Sequence, residues 1–257
     1  MELIDTHAHL TFDELAADVD AVLARSIAAG VTEWITVGTD RQHLDKVIDM
    51  ANQHDRLWAA LGYHPHYAKD ITPADIEYLK QACDNDKVVA IGETGLDYHY
   101  NFSHQQNQTE IFRAQLRIAA DTNLPVIVHS RNAFDETVEI LDEFTGKLKD
   151  VVIHCYSGDA DQAKMLLDKG YYISFTGIVT FKNSETARLA AEAVPLDRMM
   201  IETDCPYISP APMRNQRPCE PALLIHTANK IAEIKGIDLE KFASAITDTS
   251  KRFFGIG

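Results

Sequence analysis

The sequence predicts an α/β fold, a (β/α)8 barrel of the TIM type, formed as a single domain over residues 1–257. The length of 257 residues is common for one α/β barrel. Short apolar runs alternate with amphipathic stretches along the whole chain, which is the pattern of a parallel sheet with crossover helices. No Gly-rich phosphate loop follows the first apolar run, which disfavours the alternative of an open doubly wound sheet.

Eight apolar runs have the character of strands that are buried on both faces. They are short, rich in Val and Ile, and do not alternate strictly between apolar and polar residues. We predict strands at Leu3–His9, Glu33–Gly38, Leu57–Tyr63, Val88–Glu93, Val126–His129, Val151–His154, Tyr171–Phe175 and Met199–Thr203.

Amphipathic helices are predicted between and after these strands. The stretch FDELAADVDAVLARSIAAG has apolar residues at helical spacing and ends in Gly30, a good helix stop. In TPAD, Thr72 is expected to cap a helix whose first position is Pro73. After the last strand, PALLIHTANKIAEIKG and DLEKFASAITDTSKRFF give the final two helices. Each strand is thus followed by a helix, as an eightfold barrel requires.

The composition predicts a cytoplasmic protein with reduced thiols. Its four cysteines are scattered with no C-x-x-C spacing, which disfavours a disulfide framework or a zinc ribbon. Neither a signal-peptide pattern nor an apolar run of membrane-spanning length is recognisable, and no obligatory protein partner is indicated. The formal net charge of −15 disfavours tight non-specific binding to long nucleic acid, but it leaves open a nucleic-acid substrate held through metal ions.

Residue types that bind metals follow several of the predicted strands. Positions two apart on a strand share a face, so His7 and His9 are expected to point the same way at the end of the first strand. The carboxyl ends of barrel strands form the active-site face, so His, Glu and Asp residues at other strand ends are expected to join them. The expected ligands are His7, His9, Glu93, His129, His154 and Asp204.

Six ligands indicate two ions. A catalytic zinc keeps three protein ligands and one open position, whereas six ligands suit two ions that share a carboxylate. Glu93, on a strand between the two histidine pairs, is the expected bridge. Taken alone, His129 or His154 could be a core histidine bonded to a carbonyl, and Asp204 could cap a helix. The convergence of all six favours a metal site.

The motifs DTHAHL, GYHPH, GETGLDY, VIVHSRNA, VIHCYSG and ETDCPYISP occur in this order along the chain. In this order and composition the chain resembles the TatD-like deoxyribonucleases, a branch of the metal-dependent amidohydrolase superfamily, from Ile4 to about Pro221. The resemblance implies a barrel with two divalent metals. It also implies that members hydrolyse phosphodiesters, typically as magnesium-dependent 3′–5′ exonucleases on single-stranded DNA or RNA.

The resemblance also implies roles for particular residues. One ion would be held by His7, His9, Glu93 and Asp204, and the other by Glu93, His129 and His154. His64 and Glu202 would contact the substrate phosphate or an additional ion.

Two positions depart from the family pattern. Asn132 stands where the fifth-strand motif usually has an acid, and we expect it to open a helix as its cap, which Asn does about as well as Asp. Cys219 stands where the family often has Asn, with Pro218 before it. This second departure lies in a loop that is expected to shape the substrate rim, so it concerns substrate range more than chemistry.

The predicted function is a divalent-metal-dependent phosphodiesterase, a 3′–5′ exodeoxyribonuclease on single-stranded DNA with RNA as a second candidate substrate, acting through metal-activated water. Mg²⁺ or Mn²⁺ is the expected metal, with Zn²⁺ an alternative. Besides the ligand Glu93, the expected catalytic residues are Asp204, which would orient or deprotonate the water, and His64. Either water or His64 would protonate the leaving 3′-oxygen. Arg131 and Arg214 are expected to bind flanking phosphates.

Aromatic side chains near the predicted mouth are candidates for stacking on a base, because every base offers a π-face. We expect one or two stacking residues among Tyr63, Tyr98, Tyr156, Phe181 and Tyr207.

Two other functions are open at this point. The first is a metal-dependent hydrolase of a small-molecule ester, lactone or amide, which the acidic composition favours mildly. The second is a non-catalytic interaction protein on a barrel scaffold, which is disfavoured because all six ligand positions are present.

Overall fold

A computed structural model describes residues 1–100 and 102–257. All eight predicted strands are present, with ends that differ by a few residues from the prediction. The strands are β1 Leu3–Ala8, β2 Val31–Gly38, β3 Leu57–Leu61, β4 Val88–Asp97, β5 Val126–Arg131, β6 Val151–Ile153, β7 Tyr172–Phe175 and β8 Met199–Ile201.

Helices lie between these strands and after the last one. Within the described residues the α-helices are α1 Asp13–Ala16, α2 Val19–Ala28, α3 Arg41–Gln53, α4 Pro73–Ala82, α5 Gln105–Thr122, α6 Phe134–Asp142, α7 Ala160–Asp168, α8 Glu185–Ala193, α9 Leu224–Lys235 and α10 Leu239–Phe254. None of the helices that the structure describes is both long and apolar enough to span a bilayer.

The eight strands belong to one sheet, in the spatial order β1 to β8. Neighbouring strands pair in parallel, as β4 does with β5, and β1 also contacts the segment after β8 through the Ala8–Cys205 bridge. This order, with helices between the strands, is the order of a (β/α)8 barrel. The predicted fold class is therefore confirmed.

Backbone proximity divides the chain into two compact units. The first unit comprises residues 1–36 and 155–257, and the second comprises residues 37–154. In the first unit, β1 is buried along its entire length, and so are β7 and β8. In the second unit, every residue of β4 is buried, whereas β5 emerges from the interior at His129. The single domain over residues 1–257 stays a prediction.

Two predicted helix caps had opposite outcomes. Thr72 caps α4 as expected: its hydroxyl accepts from the backbone N–H of Asp75, whose carboxylate accepts from the backbone N–H of Thr72. The cap predicted at Asn132 is wrong, because Ala133 precedes α6. Asn132 instead has a φ of 54°, a left-handed conformation that Asn tolerates better than most residues.

Candidate metal centre

The first unit contains a group of three potential ligands, named here the His7 cluster: His7, His9 and Asp204. The Nε2 atoms of His7 and His9 are 3.3 Å apart. Asp204 Oδ1 lies 3.9 Å from His7 Nε2 and 3.4 Å from His9 Nε2. As predicted from their spacing, the two imidazoles direct nitrogen atoms to the same place.

Backbone structure explains how Asp204 reaches β1. The residue follows β8 with a φ of 52°, and its N–H donates to the carbonyl of His7 over 3.0 Å. Two residues earlier along β1, the buried Asp5 accepts from the backbone N–H of Thr203 at 2.9 Å and from its hydroxyl at 2.5 Å. Burial raises the pKa of Asp5 to about 7, against the lowering effect of these hydrogen bonds. Asp5 therefore braces the segment that carries Asp204.

The second unit contains a second group, named here the Glu93 cluster: Glu93, His64, His129 and His154. Glu93 Oε1 lies 2.8 Å from His129 Nδ1, 2.8 Å from His154 Nε2 and 3.4 Å from His64 Nε2. His129 Nδ1 and His154 Nε2 are 3.4 Å apart. The sequence brings these residues together because β3, β4, β5 and β6 are consecutive parallel strands.

The spacing of the donor atoms in both clusters fits a divalent ion. Atoms at about 2.1 Å from a common ion stand roughly 3.0 Å apart in octahedral geometry and 3.4 Å apart in tetrahedral geometry. The observed separations run from 2.8 to 3.9 Å. Imidazole nitrogens and carboxylate oxygens are ligands for Zn²⁺, Mn²⁺ and similar ions. The residues present therefore fit the metals that the sequence predicted.

Electrostatics within the Glu93 cluster favour a charged carboxylate. Burial alone would raise the pKa of Glu93, but the imidazoles of His154, His64 and His129 outweigh it and hold that pKa well below its usual range. Burial lowers the pKa of His64 to about 4, despite the opposing effect of Glu93. At neutral pH this imidazole is therefore uncharged.

His129 behaves differently because two carboxylates face its ring. Burial disfavours its charged form, but hydrogen bonds with Asp97 and Glu93 outweigh burial and raise the pKa of His129. Its Nε2 lies 3.1 Å from Asp97 Oδ2, while its Nδ1 faces Glu93. Asp97 thus fixes the orientation of the ring, as outer carboxylates commonly do for histidine ligands.

Asp97 is the functional residue that the sequence analysis left without a role. Its Oδ2 also lies 3.0 Å from His66 Nε2, and its Oδ1 accepts backbone N–H groups from His99 and Tyr100 at 3.0 and 2.9 Å. Burial would raise the pKa of Asp97, but the bonds from His129, His66 and Tyr100 hold it well below its usual range. The sequence signal that could have identified it is a second acid, four residues after Glu93, in the stretch GETGLD that follows the apolar run VVAI.

Glu202 is buried and held by protein donors in the first unit. Its Oε1 accepts the backbone N–H of Cys155 at 2.6 Å, and its Oε2 accepts the hydroxyl of Ser174 at 2.6 Å and that of Thr6 at 3.4 Å. These bonds link β1, β7 and the segment after β6. Contact of Glu202 with a substrate phosphate stays a prediction.

The two arginines expected at the substrate are both exposed, and each lies over an aromatic ring. The guanidinium carbon of Arg131 is 4.8 Å from the centre of the Tyr100 ring, and that of Arg214 is 3.5 Å from the centre of the Phe181 ring. Contact with a planar ring holds a guanidinium while its outer N–H groups can still bind an anion.

Comparison with known proteins places this geometry in context. The family model described as TatD related DNase matches residues 4–255. The chain is 39% identical to the uncharacterized metal-dependent hydrolase YabD of Bacillus subtilis, over 99% of each protein. It is 34% identical to the 3′-5′ ssDNA/RNA exonuclease TatD of Salmonella typhimurium, over 97% of each. The crystal structure of the TatD homologue YJJV from Escherichia coli matches 99% of this chain and 98% of its own, with a TM-score of 0.94 and 29% identity.

Proposed function

Because this chain belongs to the TatD-related DNase family and is a metal-dependent hydrolase, we propose that it is a phosphodiesterase that removes nucleotides from the 3′ end of single-stranded DNA, with RNA as a second substrate. The observation that carries the proposal is the pair of ligand clusters at strand ends, with donor atoms 2.8 to 3.9 Å apart. The names of more distant relatives support the choice of substrate.

In this proposal each cluster holds one divalent ion, Mg²⁺ or Mn²⁺, with Zn²⁺ as the alternative. His7, His9 and Asp204 hold one, and Glu93, His129 and His154 hold the other. When bound, the ions supply Lewis acidity toward phosphoryl oxygens and lower the pKa of a water molecule. The shared position of Glu93 between two ions stays a prediction.

Asp204 is the proposed acceptor of the proton that the attacking water releases. Its side chain is 14% exposed, whereas that of His7 is fully buried and that of His9 is 4% exposed. Asp204 is therefore the member of the His7 cluster that a water molecule and substrate can best approach. A carboxylate acceptor within hydrogen-bond reach of the attacking water is what general base catalysis needs.

The protonation state of the His64 imidazole limits which catalytic role this residue can have. Its Nδ1 accepts the backbone N–H of His66 over 3.2 Å, so the proton of the neutral ring is on Nε2. A neutral imidazole is a weak acid, so protonation of the leaving 3′-oxygen falls to water. The Nε2 of His64 lies 3.4 Å from Glu93 Oε1, and we assign its N–H as a donor shared between that carboxylate and a phosphate oxygen. Arg131 and Arg214 are assigned as contacts to flanking phosphates.

The proposed function is tested with labelled single strands blocked at one end or the other. Protein stripped by a chelator is given Mg²⁺, Mn²⁺ or Zn²⁺, and released nucleotides are measured. We expect mononucleotides from strands with a free 3′ end, none from 3′-blocked strands, and none without metal. His129→Ala should abolish release, while His226→Ala, which changes a histidine on α9, should not.

Other outcomes of this test would contradict the proposal. Release from the 5′ end alone would overturn the polarity of digestion. Intact strands in every metal, together with turnover of an ester or lactone, would favour the small-molecule hydrolase.

A further inference from the structure

Two exposed aromatic rings lie beside the Glu93 cluster. Phe102 is 56% exposed and Tyr100 is 40% exposed, which is unusual for large apolar rings. Their centres are 5.4 Å apart and their planes differ by 9°, so the two rings form an offset stack. We call Tyr100 and Phe102 the aromatic platform.

His66 connects the platform to the Glu93 cluster. Its ring centre lies 4.8 Å from that of Phe102 and 5.6 Å from that of Tyr100, in both cases edge to face. On its other side it lies 4.2 Å from the ring of His64 and 6.4 Å from the ring of His129. A single imidazole therefore separates the platform from the cluster, a distance that one nucleotide can span.

Side-chain hydrogen bonds hold the backbone of Tyr100 in the platform and of Ser103 next to it. Asp97 Oδ1 accepts the backbone N–H of Tyr100, while its Oδ2 contacts His129 and His66. The side chain of Gln108 donates to the carbonyls of Asp97 and Ser103, on either side of the platform. One carboxylate thus bonds both the cluster ligand His129 and the backbone of Tyr100, so Tyr100 is pre-organised relative to that ligand.

Charge at the platform suits a nucleotide better than an apolar partner. Arg131 lies over the ring of Tyr100, at 4.8 Å, and offers a cation for a phosphate next to a flat apolar surface for a base. Proteins that bind single strands without sequence preference combine these two features.

We infer that the aromatic platform is a base-stacking subsite: it binds a nucleobase of the strand whose phosphate lies at the Glu93 cluster, and Arg131 binds an adjoining phosphate. This inference rests on the proposed function. It differs from the sequence prediction, which named other aromatics. Of those, Tyr63 and Tyr156 are buried, and the Tyr98 hydroxyl donates to Glu136 at 2.6 Å. Stacking by Phe181, which lies against Arg214, or by Tyr207, which is exposed beside His9, stays a prediction.

The test compares a normal single strand with one whose 3′-terminal nucleotides lack their bases. For each protein, kcat/KM is measured on both strands, and the ratio of the normal strand to the base-free strand is its preference for base-bearing substrate. The double variant Tyr100→Ala/Phe102→Ala should lower that preference by about five-fold to a hundred-fold, the usual effect of losing one stacked base. The conservative variant Phe102→Tyr keeps a ring and should retain the preference.

The matched control is Leu189→Ala, which truncates an apolar side chain on α8 that is 53% exposed. It should keep the wild-type preference. The melting temperature and Mn²⁺ affinity of each variant, measured alongside, separate loss of stacking from loss of structure.

The outcomes distinguish the two proposals. If wild-type protein cleaves normal strands and the double variant keeps the wild-type preference, the assignment of the platform to base stacking is wrong and the proposed function stands. The double variant could also keep this preference and lose binding to another protein. That result would assign the platform to a protein interface and would likewise overturn the base-stacking inference. If wild-type protein cleaves neither strand, the proposed function fails and the platform fails with it.

Discussion

Replacing Asp97 by asparagine tests how the structure holds His129. The Asp97 carboxylate accepts on both sides: Oδ2 faces the imidazoles of His129 and His66 at 3.1 and 3.0 Å, and Oδ1 accepts two backbone N–H groups at 3.0 and 2.9 Å. An amide has one oxygen and one NH2 group, so it can accept on only one of these sides.

Either orientation of the new amide carries a cost. With its NH2 toward His129, the imidazole must move its proton to Nδ1, the atom that faces Glu93 and would bind the metal. With its oxygen toward His129, the NH2 group opposes the backbone N–H of Tyr100. Loss of such an outer hydrogen bond typically weakens metal affinity 10- to 100-fold, which corresponds to about 1.4–2.7 kcal/mol.

Calorimetry of chelator-stripped protein with Mn²⁺ measures this change directly. We expect Asp97→Asn to bind Mn²⁺ at least ten-fold more weakly than wild type, and ¹⁵N NMR to show an altered proton position on His129. Asp49→Asn, an exposed change of the same chemistry on α3, is the control and should match wild type. Wild-type affinity together with an unaltered His129 signal in Asp97→Asn would refute the reasoning.

Three further predictions concern the same unit. Glu93→Gln removes the charge that three imidazoles face, so the proposed nuclease activity should fall at least a hundred-fold while the far-UV circular dichroism stays that of wild type. A Glu93→Gln protein as active as wild type would contradict the ligand assignment. Asp97 and Glu93 raise the pKa of His129, so below that pKa a metal ion must displace the Nδ1 proton. Mn²⁺ affinity should therefore rise with pH, by up to about ten-fold per pH unit, in that range. A calorimetric Mn²⁺ affinity that does not change with pH would contradict this prediction. Gly62→Ala would place a Cβ 2.8 Å from the carbonyl carbon of Gly92 and 2.9 Å from the carbonyl oxygen of Glu93. This overlap should lower the free energy of unfolding by about 1–3 kcal/mol and the melting temperature by roughly 2–12 °C. An unchanged melting temperature would show that the β4 backbone can move away without cost.

The sequence predicted what strand periodicity controls. His7 lies on β1 and His9 stands two positions further, directly after its end, so both side chains point the same way. His129 lies on β5 and His154 directly follows the neighbouring β6. Parallel pairing then brings strand-end residues together without further information. The two clusters could therefore be anticipated from spacing and topology.

Residues placed by loop hydrogen bonds could not be anticipated in this way. The backbone of Tyr100 is bonded to the side chain of Asp97, and no periodic pattern encodes such a bond. Tyr98 was a candidate for stacking, but its hydroxyl is committed to Glu136. Asn132 was expected to cap α6, yet the chain needs a left-handed residue there, which propensity alone does not reveal.

The central claim is that two clusters of side chains each hold a divalent ion. The most direct test counts bound Mn²⁺ by elemental analysis after stripping and reloading the protein. Wild type should hold two ions per chain, and His7→Ala/His9→Ala and His129→Ala/His154→Ala should each hold one. Equal metal content in all three proteins, or no bound metal in wild type, would contradict the account.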